Sequence, residues 1–184
     1  RWTANTYNIA YNLGGGSVPS GKANPASYTI ETATFTLNNP ERRGYTFAGW
    51  TVSGASNIAG GGVVISGTTA TVNRGTYGHL TFAAKWTANV YKITLTNKDA
   101  TGKPGTETIY VRYDGPPYTA LGCTNKTTSP PVLPERIGWT FKGYPDVVDE
   151  HGRIIAATNK FAEDVTRDPS WEANIYRVNY HQNV

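Results

Sequence analysis

The stretch PERRGYTFAGW at residues 40–50 recurs with few changes as PERIGWTFKGY at residues 134–144. Within each copy, large aromatic residues alternate with polar or small ones, which is the period-2 pattern of a strand with one buried face. A large aromatic side chain buries about 150 to 250 Å², so one aromatic pair is enough to anchor a small core. We expect two such core pairs: Tyr45 with Phe47, and Trp139 with Phe141.

A second repeated segment lies outside this motif: RWTANTY at residues 1–7, KWTANVY at 85–91 and SWEANIY at 170–176. Its tryptophan recurs at an interval of about 85 residues, which is typical of a tandem repeat. We expect Trp86 and Trp171 to close the cores of successive modules.

The repeated segments divide the chain into four parts. We predict that residues 1–6 end a preceding repeat, that 7–89 form module one, that 90–174 form module two as a variant, and that 175–184 begin a following repeat with its first strand. Only four residues separate the closing tryptophan of module one from the first tyrosine of module two. We therefore predict modules arranged end to end, without a flexible linker, as a semi-rigid array.

The pattern along the chain predicts a mainly β fold, α+β at most, with little helix. YNIAYNL at residues 7–13 alternates apolar and polar side chains until a Gly-Gly-Gly turn, and YKITLT at 91–96 repeats this pattern. The 20 glycines, 12 tyrosines and absence of methionine also favour strands joined by tight turns. Further strand candidates are residues 28–31, 33–37, 45–51, 63–66, 69–72, 79–86, 108–113, 140–144, 153–156, 170–172 and 176–180. Two short helices are considered, at residues 119–121 and 161–165.

Charge and hydropathy exclude two classes of partner. The chain has 17 Lys and Arg against 13 Asp and Glu, and its basic residues are scattered except for Arg42 and Arg43. Nucleic-acid-binding proteins concentrate such residues on one face, so we predict no nucleic-acid partner. No apolar run approaches the ~20 residues that span a bilayer, so we predict no membrane insertion of this segment.

Polar clusters that could carry chemistry are few. Asp146, Asp149, Glu150 and His151 form the densest one, and a paired-carboxylate or histidine–acid site can be drawn from them. A tight turn is the better interpretation, because Gly152 supplies a permissive backbone and module one has no acid in the comparable stretch GASNIAGGG. We therefore predict a turn that is specific to module two.

The remaining candidates favour structural roles. His79 and His181 have no nearby nucleophile or carboxylate in sequence, and the glycine runs at 14–16 and 60–62 lack the Lys-Ser/Thr that a phosphate cradle needs. Cys123 is the single cysteine, so it forms no internal disulfide and is expected to be a small, half-buried apolar residue. We predict no catalytic residue, no metal and no cofactor.

Module one resembles the Listeria-Bacteroides repeat, the internalin B-repeat-like module, in its strings YNIAYNLGGG, NPERRGYTFAGW and LTFAAKWTAN. Module two resembles a variant of that family in YKITLTNKDATG, TIYVRYDG, LPERIGWTFKGY, DEHGRI and WEAN. It departs from the pattern at Tyr144, where tryptophan is usual, and in its Ser170-Trp171-Glu172 ending. The resemblance implies small β-grasp-like modules in tandem on secreted or wall-anchored bacterial proteins, associated with adhesion, spacing or host-cell signalling, and without catalytic residues.

We therefore expect a non-catalytic segment of a bacterial cell-surface protein, extracellular and either anchored to the cell wall or secreted. Its expected partners are the neighbouring repeats and a host or extracellular-matrix protein, and its role is that of a semi-rigid stalk or an adhesion module. The alternative is a carbohydrate-binding module in which exposed aromatic rings stack on sugars. The candidate ligand contacts are Tyr113, Tyr118, Arg42 and Arg43, with Trp139 as a further ring of a sugar platform.

Overall fold

The computed structural model describes residues 2–54, 56–57, 61–103, 105, 108–115, 117–118, 132–157 and 159–180, with side chains at all of these except 56, 57, 117 and 118. The chain divides into two compact units, Arg1–Asn89 and Val90–Val184. The first unit contains module one and the second contains module two. The assignment of residues 1–6 and 175–184 to neighbouring repeats stays a prediction.

Module one is organised around a mixed four-stranded sheet. Its described strands are β1 Thr6–Asn12, β2 Ser27–Thr29, β3 Phe35–Thr36, β4 Tyr45–Ser53, β5 Ser56–Asn57, β6 Gly62–Ser66, β7 Thr69–Asn73, β8 Thr76–Tyr77 and β9 Leu80–Ala88. The sheet order is β2-β1-β9-β4, in which the first strand β1 lies parallel to the last strand β9. β2 and β4 pair antiparallel on the two outer sides. A parallel pair needs a crossover connection, and strands β2 to β8 lie within it.

A second, three-stranded sheet of order β3-β7-β6 completes module one, beside a short β5-β8 pair. Buried residues from both sheets form one core cluster: Ile9, Tyr28, Leu37, Trp50, Ala70, Val72, Leu80 and Phe82. The rings of Trp50 and Phe82 lie 6.0 Å apart, edge to face. Phe47 is partly buried and packs against this cluster.

A β-bulge in β4 corrects the predicted centre of this core. The register between β4 and β9 shifts between Phe47 and Gly49, so alternation changes phase and Trp50, which is 2% exposed, points into the core. Tyr45 lies before the bulge and is only partly buried. Gly49 has φ of +112° and lies so close to the carbonyl oxygen of Gly67 that a Cβ there would be 2.6 Å away. The core therefore centres on Trp50 and not on Tyr45.

Module two repeats the central sheet of module one, in which the first strand pairs antiparallel with the second and parallel with a later one. Its described strands are β10 Val90–Leu95, β11 Thr108–Arg112, β12 Pro117–Tyr118, β13 Trp139–Phe141, β14 Val165–Arg167 and β15 Trp171–Ala173. β10 pairs antiparallel with β11 and parallel with β14, in a sheet of order β12-β11-β10-β14. β13 and β15 form a separate antiparallel pair. The continuous β9 of module one thus corresponds to two strands, β14 and β15, with Pro169, which has no N–H donor, between them.

The core of module two corrects a second prediction. Its buried residues are Ile93, Leu95, Ile109, Val111, Tyr144, Val147, Val148 and Phe161, with Phe141 partly buried against them. Tyr144 is 0% exposed, whereas Trp139 is 38% exposed. Trp139 opens the three-residue strand β13, which pairs with β15 outside the main sheet of the module. Tyr144 takes the central place that Trp50 has in module one.

Three predicted segments differ from the structure. Residues 153–156 contribute only an isolated bridge at Ile154. Residues 161–165 form no helix and lead into strand β14. Residues 176–180 form no strand, and Tyr176, Val178 and Tyr180 are each more than 70% exposed, because no described strand pairs with them. The helix considered at 119–121 lies outside the described residues, as do Cys123, His181 and residue 60 of the second glycine run.

The mainly β prediction is confirmed, and no helix occurs in the part of the chain that the structure describes. That part accordingly has no helix long and apolar enough to cross a membrane. Strand candidates in module one agree with the observed bounds within a few residues at each end. This agreement places the repeated motifs of module one on defined strands and turns.

Candidate binding clefts

Tyr113, one of the predicted aromatic ligand contacts, does not present an open ring face. Tyr113 is only 8% exposed and packs edge to face against Tyr91, with ring centroids 6.5 Å apart. The backbone of Tyr118 pairs with Tyr110 in β12, and its side chain lies outside the described atoms. The prediction that Tyr113 offers a ring face to a ligand is therefore wrong, because the residue is part of a packed surface.

The acidic cluster of module two forms a turn. One carboxylate oxygen of Asp149 accepts hydrogen bonds from the backbone N–H groups of His151 and Arg153, at 2.9 and 2.8 Å, and the other accepts from Arg153 Nε at 3.0 Å. These bonds, with that from the Arg153 backbone foremost, lower the pKa of Asp149. Glu150 forms an ion pair with Lys142. These carboxylates are thus bound within the turn and its ion pairs.

The isolated histidine of module one also has a structural place. His79 Nδ1 accepts a hydrogen bond from the backbone N–H of Asn8 at 3.0 Å, and its ring packs on Tyr7. Among the described residues, no group of three or more His, Cys, Asp and Glu side chains is positioned to hold a metal ion.

Arg42 occupies a turn that immediately precedes β4. The turn closes with a 3.1 Å hydrogen bond from the Tyr45 N–H to the Arg42 carbonyl, and Gly44 supplies its positive φ of 78°. The guanidinium carbon of Arg42 lies 3.8 Å from the ring centroid of Tyr45, within the range of a cation–π contact. Ser17 and Glu41 exchange two backbone hydrogen bonds of 2.9 and 2.8 Å, which tie this turn to the chain after β1.

A cleft of about 490 Å³ opens beside this stacked pair. Its lining includes Pro40, Glu41, Arg42, Tyr45, Phe47 and Trp86, together with Ser17 and Arg43. Phe47 and Trp86 meet edge to face with centroids 5.4 Å apart. Trp86 Nε1 donates to the Leu13 carbonyl at 3.0 Å, and a Cβ at Gly16 would lie 2.5 Å from the indole. The first glycine run therefore leaves the space that the Trp86 indole occupies.

Module two carries the same cleft in its own residues. A cleft of about 350 Å³ is lined by Pro134, Glu135, Arg136, Trp139, Phe141 and Trp171, together with Ile137. The guanidinium carbon of Arg136 lies 4.0 Å from the ring centroid of Trp139, and a 3.1 Å hydrogen bond from the Trp139 N–H to the Arg136 carbonyl closes the turn. Trp171 packs on Phe141 at 5.8 Å and donates from Nε1 to the Lys98 carbonyl at 3.2 Å.

An asparagine joins the two sequence motifs in each module. Thr46 Oγ1 donates to Asn89 Oδ1 at 2.6 Å in module one, and Thr140 Oγ1 donates to Asn174 Oδ1 at 2.6 Å in module two. The asparagine backbone N–H donates to Gly44 in the first case and to the equivalent glycine in the second, at 3.0 and 2.9 Å. Two segments that sequence reasoning treated as separate signals thus form one site. Their joint recurrence in both modules is the signal that would have linked them.

Comparison with known families gives a match for the first of these modules. Residues 7–85 match the Listeria-Bacteroides repeat domain. Module one is a Listeria-Bacteroides repeat. No curated protein and no solved structure matches the chain. Listeria-Bacteroides repeats occur in bacterial surface proteins, which indicates an extracellular location, and the family is generally non-catalytic.

The cleft of the Listeria-Bacteroides repeat differs in charge from its counterpart in module two. Arg43 lines the first cleft, and Ile137, which is 85% exposed, lines the second at the equivalent place. The first cleft therefore has two guanidinium groups and one carboxylate on its lining, whereas the second has one of each. The two clefts thus share their arrangement of aromatic residues and arginine but differ in the net charge of their lining.

Proposed function

We propose that this chain is a non-catalytic repeat segment of a bacterial surface protein that adheres to a host or matrix protein through the arginine–aromatic clefts of its modules. One observation carries the proposal: two modules of different sequence build the same open cleft, with a guanidinium stacked on an aromatic ring beside a Phe–Trp pair. Core packing does not require a partly exposed arginine over a partly exposed ring. A binding role explains why both modules keep it.

The residue types of the clefts suit a protein partner better than a sugar. Arg, Trp and Tyr are the side chains most enriched at the energetic centres of protein interfaces. A sugar ring stacks on an open aromatic face, but a guanidinium already covers one face of Tyr45 and one face of Trp139. Protein adhesion is therefore the primary proposal, and carbohydrate binding is the alternative outcome of the same experiment.

A spacing role is compatible with adhesion and has its own support. β9 ends at Ala88 and β10 begins at Val90, so a single residue lies between the last strand of one module and the first strand of the next. Such a junction leaves little room for a flexible linker. We propose that the segment also acts as a stalk that holds other parts of a wall-anchored or secreted protein away from the cell surface.

The experiment is an array of extracellular-matrix proteins and glycans probed with the full two-module chain. The variant Arg42→Ala/Arg136→Ala removes the stacked guanidinium from both clefts, and we expect it to lose saturable protein binding at unchanged thermal stability. The matched control, Lys22→Ala/Arg177→Ala, removes the same charge from exposed positions outside both clefts. Equal binding by the parent and the cleft variant would refute adhesion through the clefts, and binding confined to glycans would replace it with the carbohydrate alternative.

A further inference from the structure

We propose that the cleft of module one recognises a carboxylate side chain on an extended, acidic segment of the protein partner, with Arg42 as the residue that binds the carboxylate. The inference rests on the proposed adhesive function and deepens it, because it assigns the chemistry of the partner. Three features of the described residues carry it: a stacked guanidinium that lines the cleft, apolar side chains beside it, and a net positive charge that module two lacks.

The guanidinium of Arg42 is held in place without a carboxylate partner. It lies 3.8 Å over the Tyr45 ring, and no ion pair of the described residues includes Arg42. Stacking on a ring uses the face of the guanidinium and leaves its in-plane N–H donors for another group. Those donors match a carboxylate in two parallel hydrogen bonds. Because the stacked side chain is already ordered, less conformational entropy is lost on binding.

Apolar side chains line the cleft beside Arg42. Phe47 and Trp86 line the cleft and are only partly buried, and Pro40 borders it. An extended peptide places alternate side chains on one face, roughly 7 Å apart. An acidic side chain at Arg42 and an apolar one over Phe47 and Trp86 therefore match the lining. The cleft volume of about 490 Å³ accommodates a few side chains.

The charge of the lining favours an anion in module one only. Arg42 and Arg43 outweigh Glu41 in the first cleft, whereas Arg136 and Glu135 balance in the second, where Ile137 is exposed. An acidic segment is attracted to the first lining and gains nothing from net charge at the second. Module two is thus an internal control that keeps the framework and lacks the charge.

The test uses two fluorescein-labelled peptides on the full chain: one that alternates glutamate with phenylalanine, and one with glutamine in place of glutamate. Binding is measured by fluorescence anisotropy at about 50 mM salt, where charge interactions are only partly screened. We expect the glutamine peptide to bind about tenfold more weakly, since charge-assisted hydrogen bonds are about twice as strong as neutral ones. Arg42→Gln should abolish that preference. Arg136→Gln, the matched change in module two, should leave it intact, and Ile137→Arg should increase binding of the glutamate peptide.

Several results would overturn the inference. Equal affinity for the two peptides, or no saturable binding of either, removes carboxylate recognition. An equal loss on Lys22→Gln, which lies outside the cleft, would show non-specific attraction by the net positive charge. Displacement of the glutamate peptide by a heparan oligosaccharide that binds more tightly through Arg42 would assign the site to an acidic glycan. The proposed function is judged separately: if matrix-protein binding still needs both arginines while the peptides do not differ, adhesion stands and only the carboxylate assignment falls.

Discussion

Replacement of Phe82 by Ala tests where the core of module one lies. Phe82 is 0% exposed, and its ring lies 5.9 Å from that of Tyr11 and 6.0 Å from that of Trp50. Truncation of a buried phenylalanine costs about 3 to 5 kcal/mol in lost burial and cavity formation. For a domain of this size each kcal/mol lowers the melting temperature by about 4 to 8 °C. We therefore expect a decrease of roughly 12 to 40 °C for module one.

The comparison variant is Tyr45→Ala, which removes the aromatic residue that the sequence pattern favours as the core centre. Tyr45 is partly exposed and stacks under Arg42, so its loss should cost only about 1 to 2 kcal/mol. Val64→Ala, at a position that is 53% exposed, serves as a neutral control. Urea unfolding followed by circular dichroism gives the free energies, and hydrogen exchange of peptides from residues 7–89 reports module one separately from module two. Destabilisation by Tyr45→Ala equal to that by Phe82→Ala would refute the placement of the core.

Two substitutions and one titration test the bulge, the acidic turn and the buried phenols. Gly49→Ala should destabilise module one by about 2 to 3 kcal/mol in urea unfolding, because φ is +112° and the new Cβ would meet a backbone carbonyl oxygen; a neutral effect would contradict the bulge. The hydrogen bond from the Arg153 backbone is the main cause that lowers the pKa of Asp149 in the folded protein. This bond therefore contributes stability above the unfolded-state pKa near 4, and the contribution is lost as pH falls through the folded-state pKa. Asp149→Asn should flatten the dependence of unfolding free energy on acid pH, and an unchanged dependence would count against the turn. Burial raises the pKa of Tyr11 and of Tyr144 to about 12 and also raises the pKa of Tyr28. The folded state should therefore lose stability above pH 10, and ultraviolet titration should show at least these three phenols ionising late; complete ionisation of all tyrosines near pH 10 in folded protein would contradict their burial.

Strand positions were largely predictable, because apolar and polar residues alternate along a half-buried strand. β1, β4 and β9 all follow segments whose alternation or repeated motif was visible in advance. Prediction failed where alternation changes phase: the bulge after Phe47 adds one residue to β4 and turns Trp50 inward. At the bulge, Gly49 lies against the carbonyl oxygen of Gly67, 18 residues further along the chain, and no local pattern encodes that contact.

The sequence by itself determined the mainly β class, the repeat and the aromatic residues that close each module, because composition, alternation and self-similarity are all local properties of a chain. Only the tertiary structure decided which aromatics are buried and which face solvent, since burial depends on whether another layer covers the strand. It also brought the Pro-Glu-Arg turn and the Trp-x-Ala-Asn segment together as one cleft. These segments lie about 40 residues apart in module one, and only the antiparallel register of Phe47 against Trp86 places them side by side.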